Sequence, residues 1–318
     1  MCGLCSGFVR ALFGPQKKTR ASAEPPGNSD DRNLSNRYNS AMGDLAQDTA
    51  VAGSDGTYTG AVSSAWEVWG PQGGYVASLA LRAAGVEMGR ARPASINVAY
   101  LKAAKFDQVD LRVEITRSTR FASAATVTMT QGDHTILTAQ VWGTDDMDGL
   151  DHHTGTTPAV TPWQQLPDIR DLVPDDAPPP HPFWHNVEER PLDFIEDWQN
   201  RPAGEATSDR WYRFIAGSYD DEWVDATRAM VLLDIDSWAA ATAAHTYPMA
   251  YFAPTIEFTA RFVGARGSEW MLSRATAPVA RNGLVACTAE LWSDDQKQLI
   301  ATGGSTLLCL PSARRPDQ

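Results

Sequence analysis

The sequence predicts an α+β fold in two similar halves, each a long helix wrapped by a curved antiparallel sheet. Three observations carry this reading. A helical segment followed by four strand-like runs occurs twice along the 318 residues. A segment rich in Pro and Asp, from Gly143 to about Pro182, stands between the two occurrences. The strand start Ser95-Ile96-Asn97-Val98 returns 160 residues later as Thr255-Ile256-Glu257-Phe258, the same Ser/Thr-Ile-x-apolar pattern.

Residues 1–45 read as a disordered tail, rich in Ser, Asn, Asp and Pro after a short apolar opening. Two other readings stay open for it: a true start at Met42, or a membrane anchor through acylated Cys2 and Cys5 beside Lys17, Lys18 and Arg20. The first half spans 46–143. In it the turn Gly70-Pro71-Gln72-Gly73-Gly74 opens a helical run from Tyr75 to Val86, followed by strands at Ser95–Leu101, Val109–Arg117, Ala122–Gln131 and Thr135–Trp142. Residues 144–182 form the linker, whose spread of prolines and of Asp145, Asp146, Asp148, Asp151, Asp168, Asp171, Asp175 and Asp176 excludes a helix or central strand. The second half spans 183–312, with a tail at 313–318. Its strands at His185–Ile195 and Arg210–Ile215 precede a helix from Trp223 to Ala244. Further strands follow at Thr255–Val263, Glu269–Ala275, Leu284–Trp292 and Gln298–Leu308. Long strands beside one long helix, present twice, are the ingredients of a tandem (double) hot-dog, which would pair its two sheets edge to edge as a pseudo-dimer in one chain.

Composition narrows the function. Acidic residues outnumber basic ones 39 to 27, a net charge of −12, which argues against nucleic acid as a partner. No run approaches the roughly 18 apolar residues of a membrane span, so a soluble protein is expected. Four cysteines are too few for a disulfide scaffold. Cys287 and Cys309 read as small buried hydrophobes in a reducing cytoplasm, and Cys2 with Cys5 lacks a second ligand pair for a metal site. No nucleophile elbow, Walker loop, dinucleotide fingerprint or zinc-protease motif is present. The six histidines do not converge at a catalytic or zinc-binding spacing, and His152, His153 and His181 belong to the linker region.

What remains is an acid inside an apolar helix. In Met230-Val231-Leu232-Leu233-Asp234-Ile235-Asp236-Ser237-Trp238, the neighbours of Asp234 on its own face are Met230, Val231, Ser237 and Trp238. A carboxylate there needs hydrogen-bond partners or a wet cleft. It either bonds neighbouring backbone or does chemistry, and Asp236 is a rival for the second role.

At this point a resemblance enters. The run Trp66-Glu67-Val68-Trp69-Gly70-Pro71-Gln72-Gly73-Gly74-Tyr75, leading to Ala80-Leu81-Arg82-Ala83-Ala84, resembles the acyl-CoA thioesterase II (TesB-like) family of double hot-dog proteins. So do Ala253-Pro254-Thr255-Ile256, Glu269-Trp270-Met271-Leu272, Gly283-Leu284, Glu290-Leu291-Trp292 and Leu299-Ile300-Ala301-Thr302-Gly303-Gly304. The likeness covers about residues 50–311, apart from most of the linker.

The resemblance implies hydrolysis of an acyl-CoA to a free acid and CoA, in the cytoplasm and in fatty acid metabolism, by a homo-oligomer without a cofactor or metal. In the family an Asp in the second helix, a Thr opening the next strand and a Gln in the last strand activate a water. Those positions fall on Asp234, Thr255 and Ser305. Ser305 departs from the pattern, because a hydroxyl reaches less far than a carboxamide. Gln140 is a distant candidate to substitute. Asp234 would be the base, Thr255 would hold the water or the carboxylate, and the helix-start amides at Gly73 and Gly74 would bind substrate at the oxyanion. Tight helix–sheet packing explains the glycine pair equally well. The acyl chain would lie between helix and sheet, lined by Met and Trp. Ser305 also admits a non-catalytic module that binds acyl-CoA or acyl-carrier protein. A hot-dog dehydratase or hydratase ranks below both, since no His opens the helix beside an acid.

Overall fold

Where the two halves meet, Val98 stands directly opposite Phe258 on an antiparallel pair of strands. These residues are equivalent in the 160-residue repeat. A pairing in which equivalent positions face each other is the signature of a two-fold axis, here inside one chain. The computed structural model describes residues 42–174, 177, 179–197, 200–264 and 267–312.

The strands that meet are β3 (Arg92–Tyr100) and β10 (Thr255–Phe262). On the β3 side the order runs outward through β6 (His134–Thr144), β5 (Ala122–Gln131), β4 (Gln108–Ser118), β2 (Thr57–Ala61) and β1 (Ala52–Ser54). On the β10 side it runs through β13 (Leu299–Leu308), β12 (Leu284–Ser293), β11 (Trp270–Arg281), β8 (Thr207–Phe214) and β7 (Val187–Pro191). The two orders mirror each other, and among the described residues they form one twelve-stranded antiparallel sheet. A small ladder of β9 (Tyr251–Phe252) and β14 (Leu310–Pro311) stands apart. This is the tandem hot-dog expected from the sequence.

Five helices are described: α1 (Leu45–Asp48), α2 (Gly73–Met88), α3 (Ile169–Leu172), α4 (Glu222–Ile235) and α5 (Ser237–Ala243). The Gln72 side chain caps α2 by accepting from the Tyr75 amide, and Gly89 ends the helix in the left-handed region. Asp221 caps α4 by accepting from the Trp223 and Val224 amides. Both helices pack against the curved sheet and are buried along most of their length. Leu79, Leu81, Leu232 and Leu233 are wholly buried, each contributing roughly 1.5–3 kcal/mol of transfer free energy.

Four expectations are corrected. The helix read as running from Trp223 to Ala244 breaks at Asp236, whose buried carboxylate accepts from Tyr212 and Ser273 and pairs with Arg210. Arg210 also pairs with buried Glu189. The strand read as His185–Ile195 starts later, because Pro182 opens a 3₁₀ turn over Pro182–His185 ahead of β7. The linker does hold helix: α3 fits between Pro167 and Pro174, capped by Asp168. It also packs, with Val160, Trp163 and Leu166 covering an aromatic cluster of Trp211, Trp270 and Trp292 on the outer face of the second half's sheet. Trp163 stacks on Trp270 at 4.6 Å. Finally, the tail read as 1–45 gives way to ordered chain sooner, since Leu45 is fully buried and the Gly43 amide donates to Asn186. The rest of the tail, with Cys2, Cys5 and the basic residues, lies outside the described residues, as do Asp175, Asp176, Pro178 and the end from 313 to 318.

Candidate active site

α2 and α4 pack against each other in opposite directions, so the start of α2 lies beside the end of α4. Two glycines permit the approach. A Cβ on Gly74 would run into the Met230 carbonyl, and one on Gly85 into the Trp223 ring. Asp234 is the last residue but one of α4, and the packing carries it to the amide end of α2. β10 opens at Thr255 under the same carboxylate, and β13 brings Ser305 to it from the next strand.

Four donors converge on the Asp234 carboxylate. Oδ2 accepts from Gln72 Nε2 at 2.9 Å and from the Gly74 amide at 3.1 Å. Oδ1 accepts from Thr255 Oγ1 at 3.0 Å and, more weakly, from Ser305 Oγ at 3.4 Å. Burial raises the Asp234 carboxyl above its ordinary pKa, while the bonds from Thr255, Gly74 and Ser305 draw it back. Tyr100, from β3 of the first half, donates to the Gly73 carbonyl at 2.8 Å. Burial, and then the charge of Asp234, hold its hydroxyl protonated well above the ordinary range. The site therefore draws on both halves: Gln72, Gly73, Gly74 and Tyr100 from one, Asp234, Thr255 and Ser305 from the other.

The structure brings together Asp234, Thr255, Ser305, Gly73 and Gly74. It also shows where the alternatives left open by the sequence lie. Asp236 is wholly buried in the cluster with Arg210 and Glu189, away from this carboxylate. The Gly74 amide is already spent on Asp234, and close packing on α4 accounts for the absence of a side chain there. The Gly73 amide is the first of α2, among those a helix leaves without an internal acceptor. Gln140 is exposed on the outer face of β6, opposite Asn97, because the inward positions of that strand are Ala139 and Val141. Cys287 is buried as expected, with its thiol pushed up to about 12 by burial, whereas Cys309 is only partly buried. Among the described residues no cluster of His, Cys, Asp and Glu could hold a metal ion, and no helix is long and apolar enough to cross a membrane.

Sequence reasoning missed Gln72. Its signal was a large polar residue at the cap of a buried helix, where a capping side chain is usually Ser, Thr, Asp or Asn.

The internal two-fold has a second position like this one, and it is filled. Counting from the caps Gln72 and Asp221, Asp234 of α4 corresponds to Gly85 of α2, and Trp223 of α4 to Gly74 of α2. The contact of Trp223 with Gly85 is therefore the image of the contact between Gly74 and Asp234. There the Trp223 ring takes the space of a carboxylate and donates to the Arg90 carbonyl at 2.7 Å.

Comparison with known proteins gives the family. The family model of the acyl-CoA thioesterase N-terminal domain matches residues 62–144, and that of the acyl-CoA thioesterase C-terminal domain matches residues 164–306. No curated protein sequence matches the chain. Among solved structures, a conserved hot-dog protein of unknown function from Alicyclobacillus acidocaldarius is 21% identical with a TM-score of 0.69, over 84% of this chain and 97% of its own. The acyl-CoA thioesterase II TesB2 of Mycobacterium marinum is 18% identical with a TM-score of 0.67, over 86% and 99%. A tesB protein of Mycobacterium avium subs paratuberculosis is 18% identical with a TM-score of 0.65, over 86% and 100%. At these identities the structural likeness speaks for the fold alone. The two domain models match in order across both halves, and the chain belongs to the acyl-CoA thioesterase family, as a double hot-dog thioester hydrolase.

Proposed function

We propose that the chain hydrolyses an acyl-CoA thioester to a free acid and CoA, with Asp234 as the general base. The observation that carries this reading is the uneven filling of its carboxylate. A carboxylate has about four lone-pair positions, and here three are taken by bonds of ordinary length. The fourth, on Oδ1 beside Ser305, faces a donor at 3.4 Å, which is too long to hold it firmly. A water settled there, with Thr255 and Ser305 at its sides, gives its proton to Oδ1 as its oxygen attacks the thioester carbon. The bond to sulfur then breaks, and Asp234 returns the proton to the departing thiolate. Water has added across the bond, and the carboxylate is restored.

A base is most useful near the working pH, and burial moves Asp234 in that direction. The Gly73 amide at the start of α2 supplies a donor for the oxyanion, where a single lost donor typically costs about 10²–10³ in rate. The acyl group lies between helix and sheet. The cytoplasm as workplace, fatty acid metabolism as setting and a homo-oligomer as working form complete the proposal on family grounds.

The test is turnover of short, medium, long and aromatic acyl-CoAs by the wild type. Equal amounts of thiol and free acid are expected from at least one class. Saturable binding of acyl-CoA without turnover on any of them would replace the hydrolase by a binding module, the reading that the Ser305 hydroxyl favours.

A further inference from the structure

We infer that Gln72 is the positioning residue for Asp234, its carboxamide serving from the first half of the chain where the family places a last-strand glutamine. The inference rests on the reading of Asp234 as base and adds a second residue to it.

The orientation of the Gln72 amide is dictated by its surroundings. Its Oε1 accepts from the Tyr75 backbone amide at 2.6 Å, and an N–H can be met only by the oxygen end. The nitrogen end must then point to α4, where it donates to Asp234 Oδ2 at 2.9 Å and to the Val231 carbonyl at 3.3 Å. The side chain is 4% exposed, so water does not compete for these partners. Both N–H groups and the oxygen of the carboxamide have a partner, which leaves it one orientation.

Three consequences follow for the carboxylate. Gln72 and Gly74 together fix Oδ2, so the rotation of the carboxyl group is set and Oδ1 is the oxygen turned to Thr255 and Ser305. A donor to the charged form favours ionisation, opposing the burial that raises the pKa. The helix cap and the base are also one unit, because the same side chain ends the turn before α2 and holds Asp234. Ser305, at the family's Gln position, has only a short hydroxyl at 3.4 Å to offer. The carboxamide function has moved across the two-fold interface, from β13 to the cap of α2.

The experiment compares Gln72→Glu, Gln72→Leu and Gln72→Leu with Ser305→Gln, on the best acyl-CoA substrate found for the wild type. Gln72→Glu keeps an acceptor for the Tyr75 amide, so the cap survives. It removes the donor and sets a second carboxylate against the first. The expected result is a fall in kcat of roughly 10- to 100-fold, the range for residues that orient a functional group. KM should stay within about threefold, and the acid limb of the pH profile should move up by about one unit or more. Gln72→Leu loses the cap as well and also falls in melting temperature. Adding Ser305→Gln returns a carboxamide to Asp234 from the other side and is expected to recover turnover without recovering the melting temperature. A Gln72→Glu enzyme with wild-type kcat and pH profile overturns the inference. So does a loss in Gln72→Leu that tracks stability and is not rescued. If Asp234→Asn turns over normally, it is the base assignment that fails. If Asp234→Asn is inactive while Gln72→Glu is normal, only the role of Gln72 fails.

Discussion

The Trp223 ring lies against Gly85 at the place where the internal two-fold would put a second carboxylate equivalent to that of Asp234. Among the described residues the two structural halves thus carry this buried carboxylate on one helix and a Trp contact at its image. The same pair of contacts sets the spacing of α2 and α4, and so sets where Asp234 lies relative to the start of α2.

Alanine at either glycine is expected to disturb that spacing. At Gly85 a Cβ would stand 2.5 Å from a ring carbon of Trp223, which is itself pinned by its bond to the Arg90 carbonyl. At Gly74 it would meet Met230 backbone, which cannot rotate away. Each substitution should cost about 1–3 kcal/mol, Gly74→Ala the more. Thermal unfolding measures both. A wild-type melting temperature in Gly74→Ala would show that the helices have room to move apart.

The acid limb of activity should belong to Asp234. Its carboxyl must be ionised to take a proton from water, and its pKa is raised by burial. Turnover should therefore rise with pH through a midpoint above the ordinary carboxylate value of 3.8 and then level off. The pH profile of kcat/KM checks this, and a midpoint at or below the ordinary value contradicts it.

Thr255→Val keeps the shape of the strand start and removes the hydroxyl that donates to Oδ1 at 3.0 Å. Turnover should drop roughly 10- to 100-fold with little change in stability, since Thr255 is only partly buried. Steady-state kinetics beside a melting curve separates the two effects.

Stability should depend on pH through Asp236. Burial raises its carboxyl to about 6, against the pull of Arg210 and with the help of the Glu189 charge. The folded state keeps this proton at pH values where the unfolded chain has released it. Its contribution is thus complete below the unfolded value of 3.8 and is lost as pH rises through about 6. The melting temperature should fall between about pH 4 and 6 for this reason, and Asp236→Asn should flatten that part of the curve. An unchanged slope in the variant would assign the effect elsewhere.

Much of the fold is legible along the chain because its strands and helices bury their residues with clear periods. The edges of β5 and β12 fall within a residue of where alternation places them. The repeat of Ser95–Val98 at Thr255–Phe258 marks the two strands that meet at the two-fold. The hairpin of β1 and β2 was overlooked although Asp55-Gly56 is a turn signal, because its flanking strands are short and mostly exposed. The break at Asp236 is silent in the sequence, since the apolar run continues through it and the partners Arg210, Tyr212 and Ser273 come from other strands. Asp234 and Thr255 are read from the resemblance. Gln72 is not, because its tie to Asp234 joins positions 162 residues apart and only the packing of α2 on α4 brings them together.

In the proposed reaction Asp234 takes the proton from the attacking water. Thiol release and acyl-CoA binding measured side by side for the wild type and Asp234→Asn test it most directly. Turnover should fall about 10²–10⁴-fold in the variant while acyl-CoA affinity stays within a few-fold. Wild-type turnover by Asp234→Asn would contradict it.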